Sequence, residues 1–294
     1  MPSSGSSAEA HVVPRGHVAD ERVTPSSDRV RALHTELLTW YAANGRNLPW
    51  RRTTDAYLVL VSEVMLQQTQ VPRVEPKYEE FLRLFPTLEA LAERPLTDVL
   101  RAWRGLGYNN RAERLWRCAR EVVARRPAGQ PATLPAALDG LLALPGIGPY
   151  TARAVLAFAH NADLAAVDAN VRRVLTHELG LAPDLAPAEL QTVADAVLPR
   201  GRSRDWHNAL MDYGSLVLTA RATGIAPRTR QGAFEGSRRW YRSRLLRTLL
   251  DDGPQPVSAL ARRLEADVRL IDDLCAALER DGLVRRRYGR VGVA

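Results

Sequence analysis

From Val30 onward, apolar residues recur at three- and four-residue spacing along almost the whole chain, the period of helices that bury one face. Val30, Leu33, Leu37, Leu38 and Tyr41 form one stripe, residues 58–65 a second, and Phe81, Leu82, Leu84 and Phe85 close a third. Further stripes fall at 96–103, 112–123, 138–142, 151–158, 167–175, 190–198 and 206–218, with Pro86, Pro95, Gly105, Gly107, Pro135, Pro145, Pro183 and Gly201 as breaks. No convincing alternation precedes Leu283. The pattern predicts a mainly α protein in which residues 28–217 form an all-helical domain of about ten short helices.

The ends of the chain read differently. Residues 1–27 are rich in Ser, Pro, Gly and Ala and predict a disordered leader, and residues 218–236 read as a loop. Residues 237–294 predict three helices, carrying Leu245, Leu246, Leu249 and Leu250, then residues 257–264, then Ile271, Leu274 and Leu278. A short basic ribbon turning at Tyr288 and Gly289 follows. This order suits a winged helix-turn-helix module, and equally a helical cap packed on the main domain.

Residues 144–151, Leu-Pro-Gly-Ile-Gly-Pro-Tyr-Thr, read as a tight hairpin between two helices. Gly146 and Gly148 permit a compact turn, and Pro149 suits the first turn of the next helix. Leu138, Leu141, Leu142, Val155, Leu156 and Phe158 would pin the flanking helices, leaving hairpin amides and Thr151 to face a phosphate. An ordinary helix–turn with a Gly/Pro stop is the plainer alternative.

Composition fits a polyanionic partner, with a net charge of +8 and a pI near 10.0. Arginine supplies nearly all of it, since Lys77 is the only lysine; arginine forks suit phosphate, and few amines remain for Schiff-base chemistry. A GC-rich genome would write the same bias, so charge only supports the reading. Cys118 and Cys275 stand far apart in helical patterns, which suggests buried reduced thiols and no metal cage. No apolar run reaches membrane-spanning length, and a monomeric, cytoplasmic, nucleoid-associated protein is expected.

Glu63 lies among Leu58, Val61, Val64 and Met65, at the mouth of a glutamine-rich turn. A carboxyl in apolar surroundings tends to keep its proton, which suits a general acid, although a salt bridge to an arginine such as Arg51 would explain it as well. Asp168 follows the hairpin in Ala-Val-Asp-Ala-Asn-Val-Arg-Arg-Val. An acid to protonate a leaving base and an anion to face a cationic sugar is the two-carboxylate logic of glycoside cleavage, on a nucleotide extruded from its duplex.

Together, residues 46–51 (Arg-Asn-Leu-Pro-Trp-Arg), Tyr57, residues 62–71 (Ser-Glu-Val-Met-Leu-Gln-Gln-Thr-Gln-Val), Gly-Leu-Gly-Tyr at 105–108 with Arg111-Ala112, the hairpin, and 167–174 resemble the MutY adenine DNA glycosylases of the helix-hairpin-helix superfamily. The resemblance covers roughly residues 28–217. It implies two helical subdomains with a cleft between them, and removal of adenine mispaired with 8-oxoguanine or guanine in double-stranded DNA. It further implies that Glu63 protonates adenine, that Asp168 stabilises the sugar cation, and that Arg46, Trp50 and Arg51 surround the extruded base. Gln68 and Tyr108 match side chains that wedge into the duplex, with Thr69 beside them. Tyr150 stands where lyase-active relatives carry a lysine, so hydrolysis without strand cleavage is implied.

Two departures from the family pattern stand out. The places that match the four cysteines of the family's iron–sulfur cluster hold Leu218, Ile225, Arg228 and Phe234, so no cluster is expected, and arginine contacts and packing should hold that loop. A monovalent cation on hairpin carbonyls is implied by resemblance alone. The family's Nudix-like C-terminal domain is replaced by the short basic tail. Residues 167–170 and 109–114 are also similar to mismatch-specific thymine glycosylases, so thymine or uracil opposite guanine is an alternative. A non-catalytic DNA-binding protein on the same fold is a further one.

Overall fold

The structure, a computed structural model, describes residues 26–226 and 232–294. Most of the predicted leader lies outside the described residues; its last two residues are helical in function, because Ser26 caps and Ser27 begins the first helix. Along the chain run α1 (Ser27–Asn44), a 3-10 turn (Pro49–Arg51), α2 (Ala56–Leu66), α3 (Val71–Leu84), α4 (Leu88–Glu93), α5 (Leu96–Ala102), α6 (Asn110–Arg125), α7 (Leu138–Leu142) and α8 (Pro149–His160). Next come α9 (Ala169–Glu178), α10 (Pro187–Ala196), α11 (Ser203–Leu216), α12 (Ala220–Thr223), α13 (Arg238–Asp252), α14 (Val257–Leu264) and α15 (Val268–Arg280). Strands β1 (Val284–Arg287) and β2 (Arg290–Val293) pair antiparallel, with Val284 opposite Val293 and Arg287 opposite Arg290.

Two apolar cores divide the helices into lobes. Leu60, Phe81, Trp103, Leu115 and Val155 represent the first, built from α2 to α8. The second draws Leu33 and Leu37 from α1 to Val174, Leu175, Leu190, Trp206 and Leu210, so the first helix crosses over to join α9, α10 and α11. Met211 packs against both. The chain therefore passes through one lobe between the two halves of the other, and the segments joining them, before α2 and after α8, border the cleft.

The tail has the predicted helices and ribbon, and it is also fused to the first lobe. Leu245, Leu246, Leu249 and Leu250 of α13 are buried in the same continuous core as α2 to α8. Each such leucine contributes about 2 kcal/mol, so α13 is held as an integral wall. Two expectations from the apolar period fail. Leu84 and Leu142 are 50% and 40% exposed. Each is the last residue of its helix, where the inward face is already filled by Phe81 and Phe85 or by Leu141 and Leu144.

Candidate active site

α2 starts at Asp55, whose carboxylate accepts from the amides of Tyr57 (2.8 Å) and Leu58 (3.1 Å). It is buried on nearly every side, because Val59, Leu60, Val61, Val64 and Met65 all face packed protein. Glu63 is carried into these surroundings and is 5% exposed. Burial pushes its carboxyl up to about 7, a hydrogen bond from Tyr150 opposes this, Asp168 adds to it, and the Arg51 charge opposes it more weakly. The direct pairing of Glu63 with Arg51 does not form. The Arg51 fork is instead engaged by both oxygens of Asp212, at 2.7 and 2.8 Å.

Asp168 enters from the other lobe as the N-cap of α9. Its Oδ1 accepts from the Val171 amide at 2.7 Å, and Oδ2 accepts from Asn170 Nδ2 at 3.0 Å. Burial lifts its pKa above the usual carboxylate value, while these two donors and the Arg173 charge pull the other way. Asp168 is half-buried as a residue and lines the cleft, and the positive end of α9 favours its anionic form. Glu63, Asp168 and Tyr150 all line one cavity of about 780 Å³ between the lobes. Tyr150 is on α8, at the second position of the helix that the hairpin opens. Burial and then the neighbouring Glu63 charge keep its hydroxyl protonated.

Arg46, Trp50 and Arg51 line the same cavity. Trp50 is also a core residue, 8% exposed and edge-on to Tyr78 at 5.4 Å. Both arginines are fixed by Asp212 on α11, a residue the sequence reading passed over. Asp212 is fully buried; Arg46 reaches it through its amide (2.8 Å) and Nε (2.6 Å). Burial pushes the Asp212 carboxyl up, but the Arg51 and Arg46 donors together outweigh that, and it stays below its ordinary value. The signal available in the sequence was a lone carboxylate within the apolar face of α11, between Leu210, Met211 and Gly214.

Gln68 and Thr69 follow α2 and also line the cavity, whereas Tyr108 does not; it borders a second cavity on the far side of Gln68. Gln68 and Tyr108 both adopt left-handed backbone, with φ of 55° and 46°. Non-glycine residues in that region cost about 1 kcal/mol each and need support from their surroundings. Arg111 gives that support. Its guanidinium donates to the carbonyls of Val64 (2.8 Å), Met65 (2.9 Å) and Gln67 (2.5 Å), and to Leu106 (3.1 Å), Gly107 (3.2 Å) and the Thr69 hydroxyl (3.0 Å). One buried cation thus joins the end of α2 to the loop that presents Tyr108.

At the hairpin, Gly146 has φ +80°, and an added Cβ would stand 2.5 Å from Arg114 Cβ. Gly148 corrects the sequence reading, since its φ of −93° is open to any residue and nothing lies within 4 Å of an added Cβ. Thr151 is a second correction. It is 3% exposed, and its hydroxyl accepts from Gln67 Nε2 at 3.4 Å instead of facing outward. The helix geometry turns this third residue of α8 toward α2.

The residues after α11 do not fit an iron–sulfur cluster. Leu218, Ile225 and Phe234 offer no thiolate, and Arg228 lies outside the described residues. Cys118 and Cys275 are buried in α6 and α15, where burial pushes their thiols up to about 12 and about 11. Arginines hold the segment: Arg172 donates to the Ala226 carbonyl (2.7 Å), and Arg173 to those of Leu218 and Gly214. Among the described residues, no group of three or more His, Cys, Asp or Glu side chains could hold a metal ion, and no helix is long and apolar enough to cross a membrane.

Two helical lobes, a glycine hairpin and a carboxyl from each lobe in the cleft between them define a helix-hairpin-helix glycosylase. Its family profile, described as "HhH-GPD superfamily base excision DNA repair protein", matches residues 61–199. An adenine DNA glycosylase of Mycolicibacterium smegmatis is 41% identical over 260 residues, which is 81% of this chain and 85% of that protein. One from Mycobacterium tuberculosis is 42% identical over 66% of this chain and 64% of its own length. A human one is 39% identical over 65% of this chain and 36% of that protein. The chain belongs to the MutY-type family of this superfamily. Among solved structures, a thermostable thymine-DNA glycosylase aligns with a TM-score of 0.61 at 27% identity, over 67% of this chain and 94% of that one. A trapped endonuclease III–DNA covalent intermediate aligns at 0.58 and 20% identity, over 69% of this chain and 91% of that one, and supports the fold alone.

Proposed function

We propose that the chain is a monofunctional DNA N-glycosylase of base-excision repair that hydrolyses the bond between deoxyribose and adenine mispaired with 8-oxoguanine or guanine. The observation that carries this reading is the meeting of Glu63 and Asp168 in one cavity, with Glu63 near neutrality. An extruded nucleotide enters that cavity. Glu63 gives its proton to a ring nitrogen of the base, the glycosidic bond breaks with its electron pair going to the base, and Asp168 faces the cationic sugar. Water then adds to C1′, and its proton passes to a carboxylate, which restores the acid. Tyr150 holds Glu63 in place through its hydrogen bond.

Lys77 pairs with Glu80 on α3 at 2.7 Å and does not line the cavity. No lysine amine therefore stands near C1′ to form a Schiff base, which supports hydrolysis without strand cleavage. Adenine is favoured by the names of the relatives at 41% and 42% identity. The 27% likeness to a thymine-DNA glycosylase favours a second reading, thymine opposite guanine.

The test offers purified protein four duplexes: adenine opposite 8-oxoguanine, adenine opposite guanine, and thymine or uracil opposite guanine. Alkali then reveals abasic sites. Release of adenine alone supports the proposal, release confined to thymine or uracil selects the second reading, and strand cleavage without alkali contradicts the monofunctional assignment.

A further inference from the structure

The sequence left open how the C-terminal module meets DNA. In a helix-turn-helix the recognition helix enters the major groove, and that role would fall to α15. Its outward residues are ill suited to phosphate. Asp272, Asp273 and Glu279 are exposed there against Arg269 and Arg280, and the wing residue Arg286 is already spent on Asp272 (2.7 Å) and Glu279 (3.5 Å).

A basic face of the module that adjoins the first lobe is on α13. While its leucines are buried in the main core, Arg239, Arg242 and Arg247 turn toward a second cavity of about 650 Å³. Arg73 and Arg104 line the opposite wall, so five arginines face the space against a single carboxylate, Asp281. Arg242 pairs with Asp281 and Arg104 with Asp251. Arg239 donates to the Tyr108 hydroxyl at 3.1 Å and the Gly232 carbonyl at 2.8 Å. Arg73 and Arg247 are exposed and make no ion pair among the described residues. Gln68 lines this cavity and the base cavity alike, so it forms the ridge between them.

We propose that this interdomain cavity binds the backbone of the DNA strand opposite the extruded nucleotide, next to the orphaned partner, through Arg73 and Arg247. The inference rests on the glycosylase reading. If one strand sends its nucleotide into the base cavity, the partner strand continues on the other side of the Gln68 ridge. Unpaired guanidinium groups there match phosphate in charge and in fork geometry. Such contacts fix position along the duplex and carry no sequence information themselves. The module thus acts through its first helix and its fusion to the first lobe, not through α15.

The test uses the full chain and a duplex with a reduced abasic site opposite guanine, so that binding is read without reference to which base is excised. The Arg73→Gln/Arg247→Gln variant is compared with Arg285→Gln/Arg287→Gln, which removes equal charge from exposed positions on the wing. The cavity variant is expected to bind about tenfold or more weakly, with the slope of log Kd against log salt shallower by about 1.8, about 0.9 for each phosphate that is no longer neutralised. A methylphosphonate beside the orphaned nucleotide should weaken wild-type binding and leave the cavity variant unchanged. Equal losses in the two variants, or sensitivity only to neutral linkages in the extruded strand, would overturn the proposal. Base release by the wild type is scored separately; its failure would remove the glycosylase reading while the binding comparison stays decisive for the cavity.

Discussion

The two lobes make different tools from the same functional group. In the first, Glu63 is set inside an almost wholly apolar helix, and burial lifts its carboxyl to about 7. In the second, Asp168 stands at a helix start that lines the cleft, with the Val171 amide and the Asn170 side chain as donors that oppose the upward push of burial. Dry surroundings favour the neutral acid, and a capped helix start favours an anion. The contrast extends to the arginines of the pocket: buried Asp212 holds both guanidinium groups and offsets one of their two charges, so the Arg51 charge opposes the upward push on Glu63 only weakly.

The strongest test of that contrast is Glu63→Gln. Base release should fall by roughly a hundredfold to ten-thousandfold, the usual contribution of a general acid. The same change has a signed effect on stability. The folded value of about 7 stands above the ordinary 4.5, so the stability Glu63 contributes is complete below 4.5 and is lost as pH rises through 7. Denaturant unfolding should therefore find the variant more stable than wild type above neutrality, by about 1–3 kcal/mol, with the gain vanishing in acid.

Asp168→Asn comes next. Asparagine caps helices as well as aspartate does, so the melting temperature should hardly move. Single-turnover release should drop on the order of a hundredfold to a thousandfold, because the amide cannot face a cation with negative charge. Retained activity would remove Asp168 from the chemistry and leave it a cap only.

Asp212→Asn attacks the ion network joining the lobes. It leaves two arginines beside a neutral amide in a buried setting, and a loss of about 3 kcal/mol in unfolding free energy is expected. The smallest effect separates the two hairpin glycines. Gly146→Ala should cost about 1–2 kcal/mol because of its positive φ and the approach of Arg114, whereas Gly148→Ala, at the N-cap of α8 with an ordinary φ and open space around it, should cost less, about 0.5–1 kcal/mol.

Much of the site was legible because it rests on local chemistry. The apolar run around Glu63, the glycine turn before Pro149 and the cap position of Asp168 are each written within a few adjacent residues. Asp212 and Arg111 were not legible in the same way. Arg46 and Arg51 meet Asp212 across more than 160 positions of sequence, and spacing along one helix says nothing of a partner on another. Arg111 satisfies carbonyls from two separate segments, and a backbone acceptor leaves no mark in side-chain identity. Thr151 was misplaced for a related reason: the hairpin fixes where the helix starts, but packing against α2 decides which way its third residue points.

The central claim is that a buried, protonated Glu63 breaks the bond to the base. Single-turnover adenine release should be followed from about pH 5 to pH 9 with saturating enzyme on a duplex carrying adenine opposite 8-oxoguanine. The account predicts a rate that declines about tenfold per pH unit once pH exceeds about 7, and a Glu63→Gln variant in which that decline is gone. A wild-type rate that stays level across the alkaline range would contradict it.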